Sequence, residues 1–568
     1  MRARYAFMLI AFAGCDFGMP EAPTITNSCT DEASCPAGVC DGNLCIDDSA
    51  ASLSVTLEVL RAPSAMQETT PASWVFGFDS VSGPSTRDLV LPPTRPVRGS
   101  VRLDGLRVPA TLRFVPRAEG AAAALTPVAV EVDTLREPAD QAGAASYDFS
   151  TVLVVGEIYD VVVSPSSDAV MAFAQEPAPA IRSLPPLYLE LTIGDGDPGE
   201  PFRFDIVFPT DLGEPCTLTK VRCTLEAEVL SVAGTEEQAE AGLQVRAIDR
   251  VSGLVVSSIG ETDENGHFMI RIGETAPDYL IRVTSTVGGD PFPAVSVDPS
   301  VAFISVKRIY IPRLSPVQLN GRVQDTDDRP VPGATVRLLS TGIFDGSQLG
   351  LVGSFSASTT TDEEGNFGTE LLPGYYSIAV TPPDDALNTW GILSDEALVG
   401  EAITTIEPLI VPSQLQLSGS VTTFGDEPAA GITIVAGSRT SGDAGAMHRS
   451  QETISNELGA FSMSIDSGLF DVQVKVPSET GFAWMVEPEL VMSQERGNLE
   501  RAYRLEPPIP VRGVVRTSDG EIVPAALIRA YVMTGNADAG SRPVQVAETV
   551  AQADGSYRLL IAPRFAGP

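Results

Sequence analysis

Apolar and polar residues alternate in short runs along most of this chain. Clear examples are "VPGATVRLL" from Val331, "AAGITIVA" from Ala429 and "YYSIAVTPP" from Tyr375. A period of two places one row of side chains inward and the next outward, as in a half-buried β-strand. Glycine and proline, 50 and 45 of 568 residues, stand between the runs and mark turns and strand ends. The pattern predicts many short strands rather than long helices.

An acidic turn followed by an aromatic residue recurs along the chain. It reads "TDENGHF" at 262–268, "TDEEGNF" at 361–367, "SNELGAF" at 455–461 and "QADGSY" at 552–557. An Asp or Asn ahead of the glycine bonds its own backbone, and glycine accepts a positive φ. We therefore predict a hairpin turn whose aromatic residue enters the core. A calcium site is the alternative, but each turn alone supplies too few oxygen ligands.

A Gly-x-Val strand start precedes these turns, at 98–101, 320–323, 418–421 and 512–515, and "LEAEV" at 225–229 stands in the same place without the glycine. The turn glycines are 99, 94 and 96 residues apart. Both landmarks together indicate about five copies of a unit of roughly 95 residues. Such regular spacing of strands and turns is typical of a β-sandwich.

The order of four motifs resembles that of the carboxypeptidase regulatory-like domain. These motifs are G-x-V, V-P-G-A-x-V, T-D-x-x-G-x-F and P-G-x-Y-x-I-x-V. The match is best at 319–383, fair at 417–477 and 511–563, and weaker in the first two copies. The resemblance implies a prealbumin-like, Ig-like sandwich with an extracellular habit, and it does not imply peptidase activity. We predict an all-β protein of tandem sandwiches.

The predicted order of segments is a signal peptide (1–14), a cysteine-rich segment (15–50) and five sandwich repeats (51–190, 191–312, 313–412, 413–506 and 507–568). Proline-rich joints between repeats predict a semi-rigid rod. The fifth repeat lacks room for its last strand, since Pro568 comes thirteen residues after Gly555. We expect a longer natural chain or a strand supplied from elsewhere, because an open sheet edge invites pairing.

The N-terminus reads as an export signal. Arg2 and Arg4 precede the apolar run 5–13, which is shorter than the ~20 residues that span a bilayer. The residues "FAGC" at 12–15 resemble the bacterial lipobox, which implies cleavage before Cys15 and lipidation of its thiol. The alternative is an ordinary signal peptide with a stray cysteine. We expect a chain anchored by lipid to the cell envelope, at the outer membrane, the cell surface or the periplasmic face.

Six further cysteines fall in two groups, Cys29, Cys35, Cys40 and Cys45 in one and Cys216 with Cys223 in the other. An exported chain forms disulfides with such residues. A four-cysteine zinc site is the alternative, but the usual C-x₂-C knuckles are missing. Three connectivities of the first group remain open.

Charge and chemistry exclude several function classes. The chain has 74 acidic and 37 basic residues, a formal net charge of −37, which repels nucleic acid. Only two histidines occur, and no hydrolase elbow, phosphate loop or dinucleotide fingerprint is found. We predict no enzyme activity, no cofactor and no metal site.

One aromatic residue recurs on the loop that leaves each complete repeat, namely Phe292, Trp390 and Trp484. It either plugs the sandwich at the joint or forms an exposed platform for sugar rings. We predict a non-catalytic binding, adhesion or structural protein. Its predicted partners are the membrane, through the lipid, and a polysaccharide or surface protein. The alternative is an accessory region of a surface enzyme whose catalytic domain is missing from this chain.

Overall fold

The computed structural model of the protein describes residues 25–30, 35, 39–41, 43–47, 54–61, 73–77, 81, 83–103, 105–117, 129–134, 148–165, 184–194, 200–208, 223–233, 236–273, 279–285, 293–297, 308–343, 353–384, 389–400, 403–439, 448–534 and 542–566. These residues are almost entirely β-strand, turn and loop. Among them, no helix is long and apolar enough to cross a membrane.

The strands are numbered along the chain. Ahead of the first sandwich lie β1 (Val39–Asp41), β2 (Leu44–Ile46), β3 (Thr56–Leu60), β4 (Ser73–Phe76), β5 (Ser85–Thr86) and β6 (Leu89–Leu91). The first sandwich has β7 (Thr94–Gly99), β8 (Val101–Leu103), β9 (Leu106–Arg107), β10 (Ala110–Pro116), β11 (Val130–Asp133), β12 (Phe149–Val154), β13 (Ile158–Pro165), β14 (Leu187–Thr192), β15 (Phe202–Arg203) and β16 (Ile206–Val207). The second has β17 (Cys223–Ala233), β18 (Glu236–Ala239), β19 (Leu243–Asp249), β20 (Gly260–Glu261), β21 (His267–Ile272), β22 (Tyr279–Ser285), β23 (Ala294–Val297) and β24 (Arg308–Pro312).

Three more units follow. The third sandwich has β25 (Val317–Asp325), β26 (Thr335–Ile343), β27 (Gly353–Ser354), β28 (Ser356–Thr360), β29 (Asn366–Leu371), β30 (Gly374–Thr381), β31 (Leu393–Val399), β32 (Thr404–Thr405) and β33 (Leu409–Val411). The fourth has β34 (Leu415–Thr423), β35 (Thr433–Ser438), β36 (Gln451–Ile454), β37 (Ala460–Ile465), β38 (Gly468–Lys475), a 3₁₀ turn (Ser478–Thr480), β39 (Met485–Met492) and β40 (Leu499–Leu505). The fifth contains β41 (Ile509–Thr517), β42 (Leu527–Thr534), β43 (Arg542–Val550) and β44 (Ser556–Ile561).

The fourth sandwich shows the common plan. One sheet has the order β37-β34-β40, and the facing sheet has the order β36-β35-β38-β39. The unit's first strand, β34, pairs antiparallel with β37 and parallel with β40, the last strand. Inward-facing residues of both sheets, such as Leu417, Ile434 and Val472, are fully buried between them. The apolar residues of the alternating pattern therefore form one buried layer between the sheets, and the polar residues form the two outer faces.

The first and third sandwiches follow the same plan. In the third, β29-β25-β32 faces β28-β26-β30-β31, and in the first, β12-β7-β15 faces β11-β10-β13-β14. The second sandwich also places its last strand, β24, parallel to its first strand, β17. The predicted all-β array of tandem sandwiches is confirmed.

The fifth sandwich is assembled from both ends of the chain. Its sheets have the orders β4-β3-β42-β43 and β44-β41-β5, with β6 also pairing β41. Leu57 lies opposite Ala530, and Leu89 lies opposite Val515. Strands β3 to β6 thus complete the sheets of the fifth repeat, for which the sequence left too few strands.

This pairing changes two predicted boundaries. Strands β3 to β6 belong to the fifth sandwich and not to a first repeat of 51–190. Strands β15 and β16 pair with β7 and β8, so residues 202–207 complete the first sandwich rather than opening the second. The reason is that strand pairing is decided by free sheet edges and not by proximity along the chain.

The expected open rod also needs correction. Strand β6 ends at Leu91, and β7 begins at Thr94. Only Pro92 and Pro93 therefore join the fifth sandwich to the first. A rod would hold these two units at opposite ends, whereas the strand pairing makes them neighbours and closes the series on itself.

Candidate functional site

The recurring turn is built as its sequence predicts. The Asp263 Oδ1 atom accepts hydrogen bonds from the backbone N–H groups of Asn265 (2.8 Å) and His267 (2.9 Å). Gly266 has φ 74°. The third and fourth sandwiches repeat both features, with Asp362 and Asn456 as acceptors. The motif is therefore a structural hairpin.

The aromatic residue after each of the four turns, and Phe149 at the equivalent position of the first sandwich, is buried and lies opposite the small residue of the unit's first strand. The cross-strand pairs are Gly99–Phe149, Ala227–Phe268, Gly321–Phe367, Gly419–Phe461 and Gly513–Tyr557. At each of the four glycines, an added side-chain carbon would stand 3.0 Å or less from the opposing aromatic ring. The small residue of the first strand and the aromatic residue opposite it therefore pack against each other.

The Asp325 carboxylate organises the neighbouring loop of the third sandwich. Its Oδ1 atom accepts the N–H groups of Asp327 (2.9 Å) and Arg329 (3.0 Å), and its Oδ2 atom accepts Arg329 Nε (2.9 Å). Burial alone would raise the pKa of Asp325, but these bonds and a weaker one from Trp390 hold that pKa below its ordinary value. Within the described ranges, no group of three or more His, Cys, Asp or Glu side chains is placed to hold a metal ion.

Trp390 packs at the joint between the third and fourth sandwiches. The residue is buried in the third core, and its Nε1 donates to Asp325 Oδ2 (3.4 Å). Its backbone carbonyl accepts a bond from Arg449 Nη2 of the fourth sandwich (2.6 Å). This placement favours the joint plug over the exposed platform at Trp390.

Arg449 holds that joint together. Its guanidinium pairs with Asp466 (2.8 Å), which is 1% exposed at the side chain, and with Asp384 of the third sandwich (2.8 Å). It also donates to Pro382 O (3.3 Å). Sequence reasoning missed this residue because an arginine in a glycine-rich loop carries no pattern of its own.

Trp484 occupies a different environment. It is half-buried against the fourth core, its Nε1 donates to Val476 O (3.1 Å), and Lys475 Nζ lies 5.1 Å from its ring centroid. It also lines a cleft of about 880 Å³ between the fourth and fifth sandwiches. The structure therefore places the predicted candidate Trp484 at a cleft.

The cleft wall mixes aromatic and charged groups. The fourth sandwich adds Phe482 and Glu479, and the fifth adds Arg512, Glu548 and Tyr557. Two of these charges have partners beside the cleft, since Arg512 pairs with Asp41 (2.9 Å) and Glu548 pairs with Arg529 (2.8 Å). Burial of Tyr557 raises the pKa of its phenol, which therefore stays neutral and donates a hydrogen bond. Such a mixed wall suits a polar ligand with apolar faces.

A small module (the cysteine-rich module), formed by the described residues 25–30, 35, 39–41 and 43–47, sits beside this cleft. Its disulfides are Cys29–Cys40 and Cys35–Cys45, which confirms the predicted bonding of the group and decides its connectivity. Asn27 anchors the module on the fourth sandwich by donating its N–H to Thr480 O (2.7 Å) and its Nδ2 to Gly481 O (2.9 Å). The module thus forms a fixed contact rather than a free tether.

Some predicted residues lie outside the described ranges, namely Cys15, Cys216 and Phe292. Cys223 is disulfide-bonded. Lipidation at Cys15 and ligand binding at Phe292 stay predictions.

Comparison with known proteins gives one family. Residues 318–386 match the family model of the carboxypeptidase regulatory-like domain. This range corresponds to the third sandwich, where the motif resemblance is best. No curated protein matches the chain.

Several solved structures share partial similarity. The Streptococcal ancillary pilin is 12% identical, with 50% of this chain and 99% of that chain covered and a TM-score of 0.22. The minor pilin of Streptococcus agalactiae is 13% identical, with 34% and 95% covered and a TM-score of 0.21. The TIE protein of Bacillus anthracis is 9% identical, with 73% and 74% covered and a TM-score of 0.17.

Proposed function

We propose that this protein is an exported, lipid-anchored, non-catalytic component of the bacterial cell envelope that binds a polysaccharide in the cleft at Trp484. Two disulfides in the cysteine-rich module support export, because such bonds persist in oxidising compartments. The anchor is the predicted lipid on Cys15. Each acyl CH₂ contributes ~0.8 kcal/mol to membrane binding, and several chains make the anchoring lasting.

The cleft carries the binding proposal. An indole at a cleft wall offers a broad, rigid surface to the C–H faces of a sugar ring. Arg512 and Glu548 line the same cleft, and their hydrogen-bonding groups suit the hydroxyls around such a ring. Lys475, over the Trp484 ring, adds a donor near the indole. Polysaccharide is favoured over an anionic polymer because both signs of charge are present.

Binding is tested by retention of the full-length protein on insoluble cell-wall material and a panel of polysaccharides. We expect one polymer to retain the protein, and Trp484→Ala to weaken retention roughly 30-fold, because loss of an interface aromatic costs about 2 kcal/mol. Trp390→Phe is the matched control. It changes an equivalent loop tryptophan that is buried away from the cleft, and it should bind as the unchanged protein does.

Two results would contradict this function. If Trp484→Ala still binds the polymer, the binding site lies elsewhere in the chain. If no polymer of the panel retains the protein, its role is structural. Anchoring is tested separately by detergent phase partition. The unchanged chain should enter the detergent phase, and Cys15→Ser should stay in the aqueous phase. Equal partition of both proteins would refute the lipid anchor.

A further inference from the structure

Two arginines (the arginine pair) stand side by side on one wall of the cleft at Trp484. Arg512 on β41 and Arg558 on β44 are direct cross-strand partners, so their side chains leave the sheet on the same face. Both line the cleft. This part of the wall is therefore locally basic, in a chain whose formal net charge is −37.

The two guanidinium groups differ in their partners. Arg512 Nη2 pairs with Asp41 Oδ2 of the cysteine-rich module (2.9 Å). Arg558 is exposed, and none of the described residues forms an ion pair with it. A guanidinium carries five N–H donors, so the contact with Asp41 still leaves Arg512 donors for a ligand. Both side chains can therefore donate into the cleft.

The cysteine-rich module borders the arginine pair. Its Leu44 lies in one apolar cluster with Leu560, which is two residues from Arg558 and points to the same face of β44. The module thus covers the sheet up to the arginine pair and leaves the pair itself open to the cleft. Because Asp41 restrains Arg512, less side-chain entropy is lost when a ligand binds there.

Electrostatics favour an anion at this position. Like charges directly opposite each other on neighbouring strands repel, so the arginine pair is unfavourable while the cleft is empty. A carboxylate or sulfate group between the two side chains accepts charge-assisted hydrogen bonds from both, and the planar guanidinium suits such two-oxygen acceptors. Binding of an anion therefore adds these bonds and also removes the repulsion between the arginines.

The other groups of the cleft limit the kind of anion. Trp484 on the fourth-sandwich wall offers an apolar surface to an uncharged sugar ring. Glu479 on the same wall repels negative charge, and so does the net charge of the chain. A uniformly anionic polymer is therefore disfavoured. The lining suits a sugar chain in which anionic groups are separated by neutral rings.

We propose that the arginine pair is an anion subsite of the cleft, which takes the carboxylate or sulfate substituent of a sugar in an otherwise neutral chain. This inference rests on the proposed function and adds the chemical class of the ligand, an acidic polysaccharide with spaced charges. Trp484 packs against a ring of that polymer, and the arginine pair selects the charged sugar beside it.

Retention of the full-length protein on matched immobilised polymers tests the subsite. Hyaluronan is compared with carboxyl-reduced hyaluronan, and keratan sulfate with desulfated keratan, so that the members of each set differ only in their anionic groups. We expect the acidic member of one set to bind about tenfold more tightly than its neutral counterpart, because the arginines add charge-assisted hydrogen bonds. The set that shows this preference distinguishes a carboxylate from a sulfate.

Arg558→Gln should abolish the preference and leave retention of the neutral polymer unchanged, whereas Trp484→Ala should weaken retention of both members of a set. The second sandwich offers a matched control. Arg282 is exposed and lies opposite the half-buried Arg246, so it belongs to a similar cross-strand pair that does not line this cleft. Arg282→Gln should therefore keep the full preference for the acidic polymer.

Three results would overturn the anion subsite. Equal retention of the acidic and neutral members by the unchanged protein would do so and would leave the proposed polysaccharide binding intact. A preference that survives Arg558→Gln, or that Arg282→Gln reduces equally, would show that no charge at this wall selects the ligand. Retention of none of the four polymers would also refute the subsite, whereas the binding function fails only if the wider panel contains no ligand either.

Discussion

Gly419 lies directly opposite Phe461 on the neighbouring strand of the fourth sandwich. A side-chain carbon at Gly419 would stand 1.7 Å from Arg501 O and 3.0 Å from the Phe461 ring. The Arg501 backbone and the Phe461 ring therefore occupy the space that a side chain at residue 419 would need. The same pairing of Gly with an aromatic residue recurs in four of the five sandwiches, with Ala227 in the second.

Gly419→Ala should destabilise the fourth sandwich strongly. The backbone at Arg501 cannot move without shifting strand β40, so we expect a cost at or above the usual 1–3 kcal/mol of overpacking. Hydrogen exchange read by mass spectrometry should show loss of protection in peptides from 415–505. Gly437→Ala is the control, since its nearest contact, Asp471 O, is 3.6 Å away. Equal protection in the two variants would disprove the packing explanation.

Arg449→Met should loosen the joint between the third and fourth sandwiches. The change leaves the Asp466 carboxylate buried without its charge partner, which typically costs about 3–5 kcal/mol. Asp384→Asn removes the exposed partner of the same arginine and should cost under about 1 kcal/mol. Urea midpoints of both variants test the ranking. A larger effect at Asp384 would show that Arg449 acts mainly across the joint.

The third sandwich should lose stability in acid through Asp325. The folded-state pKa of this carboxyl is lowered, so its contribution is full above the unfolded pKa of ~3.9 and is lost as pH falls through the folded value. Asp325→Asn should therefore destabilise the unit at pH 7, and its difference from the unchanged protein should shrink progressively as the pH falls below ~3.9. Trp390 fluorescence during urea unfolding measures this difference, since its indole bonds Asp325.

The acid experiment needs an isolated signal and a control. Replacing Trp74 and Trp484 by Phe leaves Trp390 as the chain's single tryptophan. Asp327→Asn is the matched change, because the Asp327 side chain is 71% exposed. It should shift stability little at any pH. A pH-independent effect of Asp325→Asn would contradict the assigned role of its charge.

Gly481→Ala should release the cysteine-rich module from the fourth sandwich. A carbon added at Gly481 would stand 2.4 Å from Leu44 Cδ1, and the residue has φ 79°. Gly497→Ala provides the same backbone strain, at φ 69°, with no atom within 4 Å. Only the first variant should speed protease cleavage near the module. Equal cleavage of the two variants would mean that backbone strain, and not the contact between residue 481 and Leu44, releases the module.

The sequence by itself determined the local structure of this protein. Asp263 and Gly266 specify a turn through bonds within five residues, and alternation places Phe268 inward, so these features follow from short-range chemistry. The crowding of Cys29, Cys35, Cys40 and Cys45 likewise predicted disulfides, although not their partners. The best motif match, at 319–383, falls within the one range that a family model also matches.

Only the tertiary structure decided which remote pieces meet. An alternating strand such as β3 suits any open edge, so its sequence does not say that it joins β42, more than 450 residues away. The same holds for Arg449, whose partners come from another unit, and for Trp390 and Trp484, which look alike in sequence. One packs in a joint and the other lines a cleft, because burial depends on how whole sandwiches are placed against each other.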